Sequence, residues 1–234
     1  MILFTVTGER NSGTHFIERL VEENKVRCVG DLTGILNRHR IPEDSIKTMG
    51  IYGERMINII VFRKLDGWLI SMYKNSYFLE KSNSLTFEDF LTRNQKSCFK
   101  YKHEIEAQYY IYSDKELFSQ DTGKTIFEIR YSKIKSFLDF YNRHKDVILV
   151  SLEYLQNKEN CRKFVEDLNI RYDLNIKNVI SSIEQHTKRS KLVGVKNRIY
   201  EDVKITGNTR EIINKHRNVE IETFIDNLTY KISS

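Results

Sequence analysis

The first eighteen residues constrain the fold more than any other stretch of the chain. An apolar, β-branched run, Ile2 to Thr7, passes straight into a polar segment bracketed by Gly8 and Gly13. Phe16, Ile17, Leu20 and Val21 follow at the spacing of one helix face. The first run has the composition of a buried central strand, and the spacing of the second is that of an amphipathic helix. Strand, glycine loop and helix in succession aim backbone N–H groups and a helix N-terminus at an anion. Glycine lets the backbone approach that anion with no Cβ in the way. The plainer reading is a strand-turn-helix without a ligand; the richer one is a phosphate loop.

The loop is close to a nucleotide-binding Walker A motif, but Gly8-x4-Gly13 is followed by Thr14 and His15. The lysine that reaches the β- and γ-phosphates is missing, which disfavours an ordinary ATPase or kinase. A second segment carries chemistry of its own. The strand-like run Ile57 to Phe62 ends in Arg63, and Ser71 lies eight residues on, in a segment whose Trp68, Leu69, Met72 and Tyr73 form a helix face. An arginine just past the carboxyl end of a parallel strand stands where such sheets bind ligands. A serine on the next helix reaches the anion that the planar guanidinium holds.

Together, Arg10-Asn-Ser-Gly-Thr-His-Phe16 and the strand-Arg63-x7-Ser71-helix resemble the two cofactor motifs of sulfotransferases that use 3′-phosphoadenosine 5′-phosphosulfate (PAPS). The resemblance extends, more weakly, through Thr86 to Leu91, Glu128 to Lys135, Val147 to Leu155 and Cys161 to Leu168. It implies an α/β single domain over 1–234. A central parallel sheet would carry helices on both faces, with a P-loop-like strand-loop-helix at the N-terminus and a helical C-terminal part from about 176. It further implies that Arg10, Asn11, Ser12, Gly13, Thr14 and His15 surround the 5′-phosphosulfate, and that Arg63 and Ser71 hold the 3′-phosphate. Phe16 would pack on the adenine and Tyr131 contact its side of the cofactor. The C-terminal basic loop of the family is best matched by Lys188 to Arg198.

Two positions depart from the pattern. Many members have a lysine where Asn11 stands, donating to the bridging oxygen as the leaving phosphate gains charge; here the nearest cation is Arg10. A cation stabilises developing charge better than an amide does. The acceptor hydroxyl also requires a general base, for which His15 and His39 are the candidates, although a surface histidine is the simpler reading of His39. The expectation is sulfuryl transfer from PAPS to a hydroxyl or amine of a carbohydrate or small molecule, leaving adenosine 3′,5′-bisphosphate, with no metal implied. The alternatives are a nucleotide-dependent kinase and a nucleotide-binding protein without catalysis.

Composition narrows the class further. In 234 residues, 40% are hydrophobic and 12% aromatic, a globular composition. The net charge of +6 suits an anionic ligand, but 32 acids lie among 38 bases, so charge does not indicate a nucleic-acid binder. Three separated cysteines, no apolar run long enough for a membrane span and no basic leader suggest a cytoplasmic protein. Strands are expected at 57–62 and 147–152, with a short one at 25–30. Helices are expected near 68–77, 84–93, 126–145, 158–169, 176–186, 208–217 and 219–231. Segment 31–55 reads mostly as loop and the polar segment 94–125 shows no assignable pattern; both would shape the acceptor pocket.

Overall fold

The computed structural model describes residues 2–9, 12–28, 55–74, 86–93, 124–181 and 203–233. In chain order its first half contains β1 (Ile2–Gly8), α1 (Thr14–Glu23), β2 (Arg55–Phe62), α2 (Leu65–Lys74) and α3 (Phe87–Thr92). Then come α4 (Ile126–Arg143), β3 (Val147–Ser151), α5 (Leu152–Leu155), α6 (Lys158–Tyr172), α7 (Gly207–His216), α8 (Val219–Asp226) and β4 (Tyr230–Ile232).

The three apolar runs are adjacent parallel strands, β1 beside β2 and β2 beside β3. Successive side chains of a strand point to opposite faces, and here both faces are covered. Ile57, Ile59 and Val61 of β2 join Phe4, Val6, Ile148 and Val150 beneath Ile17 and Leu20 of α1 and Phe164 and Leu168 of α6. Ile60 and Phe62 join Val147 and Leu149 beneath Phe137 and Phe140 of α4 and Ile221 and Ile225 of α8. Burial on both sides is why these strands are continuously apolar. A further cluster joins α2, α3, the start of α4 and α7 through Trp68, Leu69, Phe90, Ile126 and Ile213. Capping boxes start α3 at Thr86 and α4 at Thr125, each reciprocated by an acidic residue three positions on.

The sheet departs from the expected parallel one at its edge. Tyr230–Ile232, expected as the end of a helix over 219–231, is instead β4, antiparallel to β3. Helix α8 stops at Asp226, and the chain turns so that Thr229 accepts from Ser151 N–H at 3.0 Å and Ser233 N–H donates to Val147 at 2.9 Å. Residues 176–181 were also expected to begin a helix and do not. Their backbone finds side-chain partners instead. Asn169 Oδ1 accepts from Ile176 N–H at 2.9 Å and its amide donates to Ile176 O at 3.1 Å. Asn24 brackets Ile180 in the same way, at 2.8 and 2.9 Å. Of the short strand expected at 25–30, the described part makes one bridge, Cys28 with Phe4. In α4 the buried stripe takes in Ile134, Phe137 and Phe140, with Leu138 and Tyr141 half-buried against the same cluster. No helix among the described residues is long and apolar enough to cross a membrane.

Candidate functional site

The carboxyl ends of β1 and β2 are brought side by side by their register. Gly8 pairs with Val61, so the loop after β1 and Arg63 after β2 leave the sheet as neighbours. The turn out of β1 is tight. A Cβ on Gly8 would lie 2.4 Å from Ser12 Oγ and 2.8 Å from the Val61 carbonyl, contacts that no other residue accommodates. Ser12 is buried, and both its N–H (3.2 Å) and its hydroxyl (2.7 Å) donate to the Glu9 carbonyl, so it shapes the loop from within. Gly13 then takes a left-handed φ of 99° and begins α1 without a side-chain cap and without an acidic residue in the first turn. A helix start of that kind is electropositive.

The other expected site residues that are described lie on α1, after β2, on α2 and on α4. Thr14 is buried, His15 is exposed with Nδ1 3.3 Å from Glu18 Oε2, and Phe16 is half-buried against the core under α1. Arg63 is half-buried, and burial lowers the pKa of its guanidinium while Glu153 works the other way. A Cβ on Gly67 would come within 3.2 Å of Arg63 Nε and 3.7 Å of Glu153 Oε1, which locates the Arg63 side chain over the first turn of α2. Glu153 itself accepts from Lys64 N–H at 3.2 Å and from the Ser151 hydroxyl at 3.2 Å, fixing the end of β3 to the end of β2. Ser71 is half-buried in the second turn of α2. Tyr131 on α4 is half-buried; its hydroxyl accepts from Asn218 N–H at 2.9 Å, and burial pushes its pKa up to about 12. Arg10, Asn11 and His39 lie outside the described residues.

Behind the loop is a group that inspection of the sequence missed. Arg130 of α4 is 0% exposed, and its guanidinium meets Glu9, 1% exposed, and Glu222 of α8, 0% exposed. Nη1 donates to Glu9 Oε2 at 2.6 Å, Nε to Glu222 Oε1 at 2.8 Å and Nη2 to Glu222 Oε2 at 3.1 Å. Nη2 also donates to the backbone carbonyl of Arg63 at 2.8 Å, and the Trp68 ring of α2 lies 4.6 Å from the guanidinium carbon. Burial opposes the arginine's charge, and the two carboxylates more than offset it, holding its pKa above the ordinary value. Burial also pushes the pKa of Glu9 up to about 7, against the pull of Arg130; Glu222 raises it further and Lys133 lowers it. Glu9 Oε1 is buried without a hydrogen-bond partner among the described residues.

Compared with known proteins, the chain matches no family model, no curated protein and no solved structure.

The functional reading therefore stands on the chain's own residues. A cavity of about 160 Å³ opens nearby, lined by Lys64, Leu65, Ile213 and the ion pairs Asp66–Arg210 and Arg217–Asp226. It borders the start of α2 and not the Gly8–Gly13 loop. A signal for the buried triad was present in the pattern: Arg130 falls between Phe127 and Ile134 on the buried stripe of α4, and Glu222 beside Ile221 and Ile225 on that of α8. A charge on an apolar stripe needs a buried partner.

Proposed function

We propose that the chain is a sulfotransferase that uses PAPS, moving a sulfuryl group to a hydroxyl or amine of a small-molecule or glycan acceptor. The observation that carries this reading is the joining of the loop at Glu9 to the backbone of Arg63 through one buried guanidinium at the carboxyl ends of β1 and β2. Two segments proposed to bind anions, far apart in sequence, leave the sheet at the same end, which suits a nucleotide with phosphates at both the 5′ and 3′ positions. The left-handed Gly13 and the uncapped start of α1 fit a phosphate, and Gly8 lets the turn pack tightly on Ser12 and Val61 beneath them.

In this reading the first turn of α1, with Asn11, Thr14 and His15, holds the 5′ group, and Arg63 with Ser71 holds the 3′-phosphate. Phe16, packed against the core under α1, and Tyr131, packed on the opposite side of the sheet beside α8, are the aromatic candidates for the base. When bound, PAPS supplies the sulfuryl group and a bisphosphate leaving group. Arg10 is the cation of this segment that would offset the charge developing on the leaving group. The acceptor's proton passes to a histidine: His15, exposed at the start of α1, or His39. Asn11, an amide where a cation serves better, favours a second reading, a nucleotide-binding protein without catalysis.

Calorimetric melting distinguishes these readings from a kinase. Adenosine 3′,5′-bisphosphate at a hundredfold excess over its Kd is expected to raise Tm by roughly 5 °C or more, and ATP with magnesium by less. Equal or greater stabilisation by ATP with magnesium would move the assignment to phosphoryl transfer. Bisphosphate binding with no sulfation across a broad acceptor panel would favour the non-catalytic reading.

A further inference from the structure

We propose that Arg130 is the positioning residue of the anion site, and that Glu9 is the proton-accepting group whose state follows anion binding in the loop. This inference rests on the reading above. Arg130 joins three of the pieces proposed to surround the ligand. It binds the carboxylate of Glu9 in the loop, the carbonyl of Arg63 after β2, and the face of Trp68 on α2, the helix of Ser71. Glu222 anchors it from α8 with two further bonds. A guanidinium is suited to this task because its planar fork fixes several acceptors at once, which an ammonium does not.

Glu9 gives the arrangement a proton-linked signature. Its carboxylate is buried at the residue that follows Gly8, with Oε1 unpartnered among the described residues. The charged groups that face it are Arg130 and Lys133 of α4 and Glu222 of α8. An anion entering the loop adds negative charge beside this carboxylate and disfavours its ionised form. Anion binding is therefore coupled to uptake of a proton by Glu9. The value near 7 puts that uptake in the neutral range.

The test is binding of adenosine 3′,5′-bisphosphate to the full chain and to two variants. Arg130→Lys retains the positive charge and loses the fork; bisphosphate affinity is expected to fall about fivefold or more. Glu9→Gln is nearly isosteric and cannot ionise. Between about pH 8 and pH 6, the parent should gain about fivefold in affinity relative to Glu9→Gln, for a shift of one pH unit on binding. Titration of the nucleotide's own phosphates is common to both proteins and cancels in that ratio. A merely structural triad would lower affinity in the variants but leave the ratio flat. Parallel pH profiles for parent and Glu9→Gln would overturn the proton linkage, and a folded Arg130→Lys with parental affinity would overturn the positioning role. If Arg130→Lys does not fold, the Glu9→Gln profile still decides the proton linkage, and Glu222→Gln, which loosens the anchor of Arg130 and keeps its fork, should weaken the bisphosphate in its place. Parental affinity there would overturn the positioning role. A parent chain that binds no bisphosphate at any of these pH values overturns the sulfotransferase reading and this inference with it. Binding by the parent with unchanged variants removes the inference alone.

Discussion

Arg130→Ala is expected to destabilise the fold by ~3–5 kcal/mol, because it leaves two buried carboxylates, Glu9 and Glu222, without the cation between them. For a chain of this size that corresponds to a fall in Tm of roughly 10 °C. Part of the cost is relieved by protonation, so the loss should be smaller in acid. The parent itself carries a related pH dependence. With Glu9 raised from 4.5 to about 7, the folded chain holds that proton more tightly than the unfolded chain does. The contribution of Glu9 to stability is therefore complete below about pH 4.5 and is lost as pH rises through about 7. Asp89 and Glu128 act in the opposite sense, since their capping bonds depress their values and are lost on acidification. Urea unfolding of the parent beside Glu9→Gln separates the two, the difference between the proteins isolating Glu9. An Arg130→Ala protein that melts with the parent would mean that the triad is solvated in solution.

The second large effect is on the ligand. Arg63→Ala is expected to weaken adenosine 3′,5′-bisphosphate tenfold or more, since truncating one partner of a charged hydrogen bond typically costs ~1.5–3 kcal/mol. Ser71→Ala should cost less. The bond that ties this position to Arg130 uses the Arg63 carbonyl, which alanine keeps, while the lost guanidinium also faces Glu153. Adenosine 5′-monophosphate has no 3′-phosphate, so its affinity should barely change. Equal weakening of both nucleotides would indicate general damage, and parental affinity for both would remove Arg63 from the site.

The parts of the fold legible in the sequence are those in which one local pattern dominates. β1, β2 and β3 are apolar runs buried on both faces, and the 3–4 spacing in α1 and α6 survives in their cores. What was not legible depended on partners distant in sequence. Ile176 and Ile180 look like a helix beginning until Asn169 and Asn24 take their backbone groups. β4 has three residues, too few to show a period, and its identity comes from pairing with β3. At the site, the loop and Arg63 stood out because backbone geometry and anion chemistry leave a local trace. Glu9, Arg130 and Glu222 are ordinary charged residues one at a time and become a unit only when three elements converge.

Arg130 bonds to a residue 121 positions before it and to another 92 positions after it. Such contacts close large loops, and folds governed by them form slowly. During synthesis, every residue proposed to touch the nucleotide is made before α8 and β4. A nascent chain that has not reached Glu222 would thus have a formed loop sequence, a formed β2 and an Arg130 lacking its anchor. It would also expose the edge of β3 that β4 later occupies, a hazard for pairing with other chains. α8 and β4, adjacent in sequence, therefore anchor Arg130 and cover the edge of β3 in one late event.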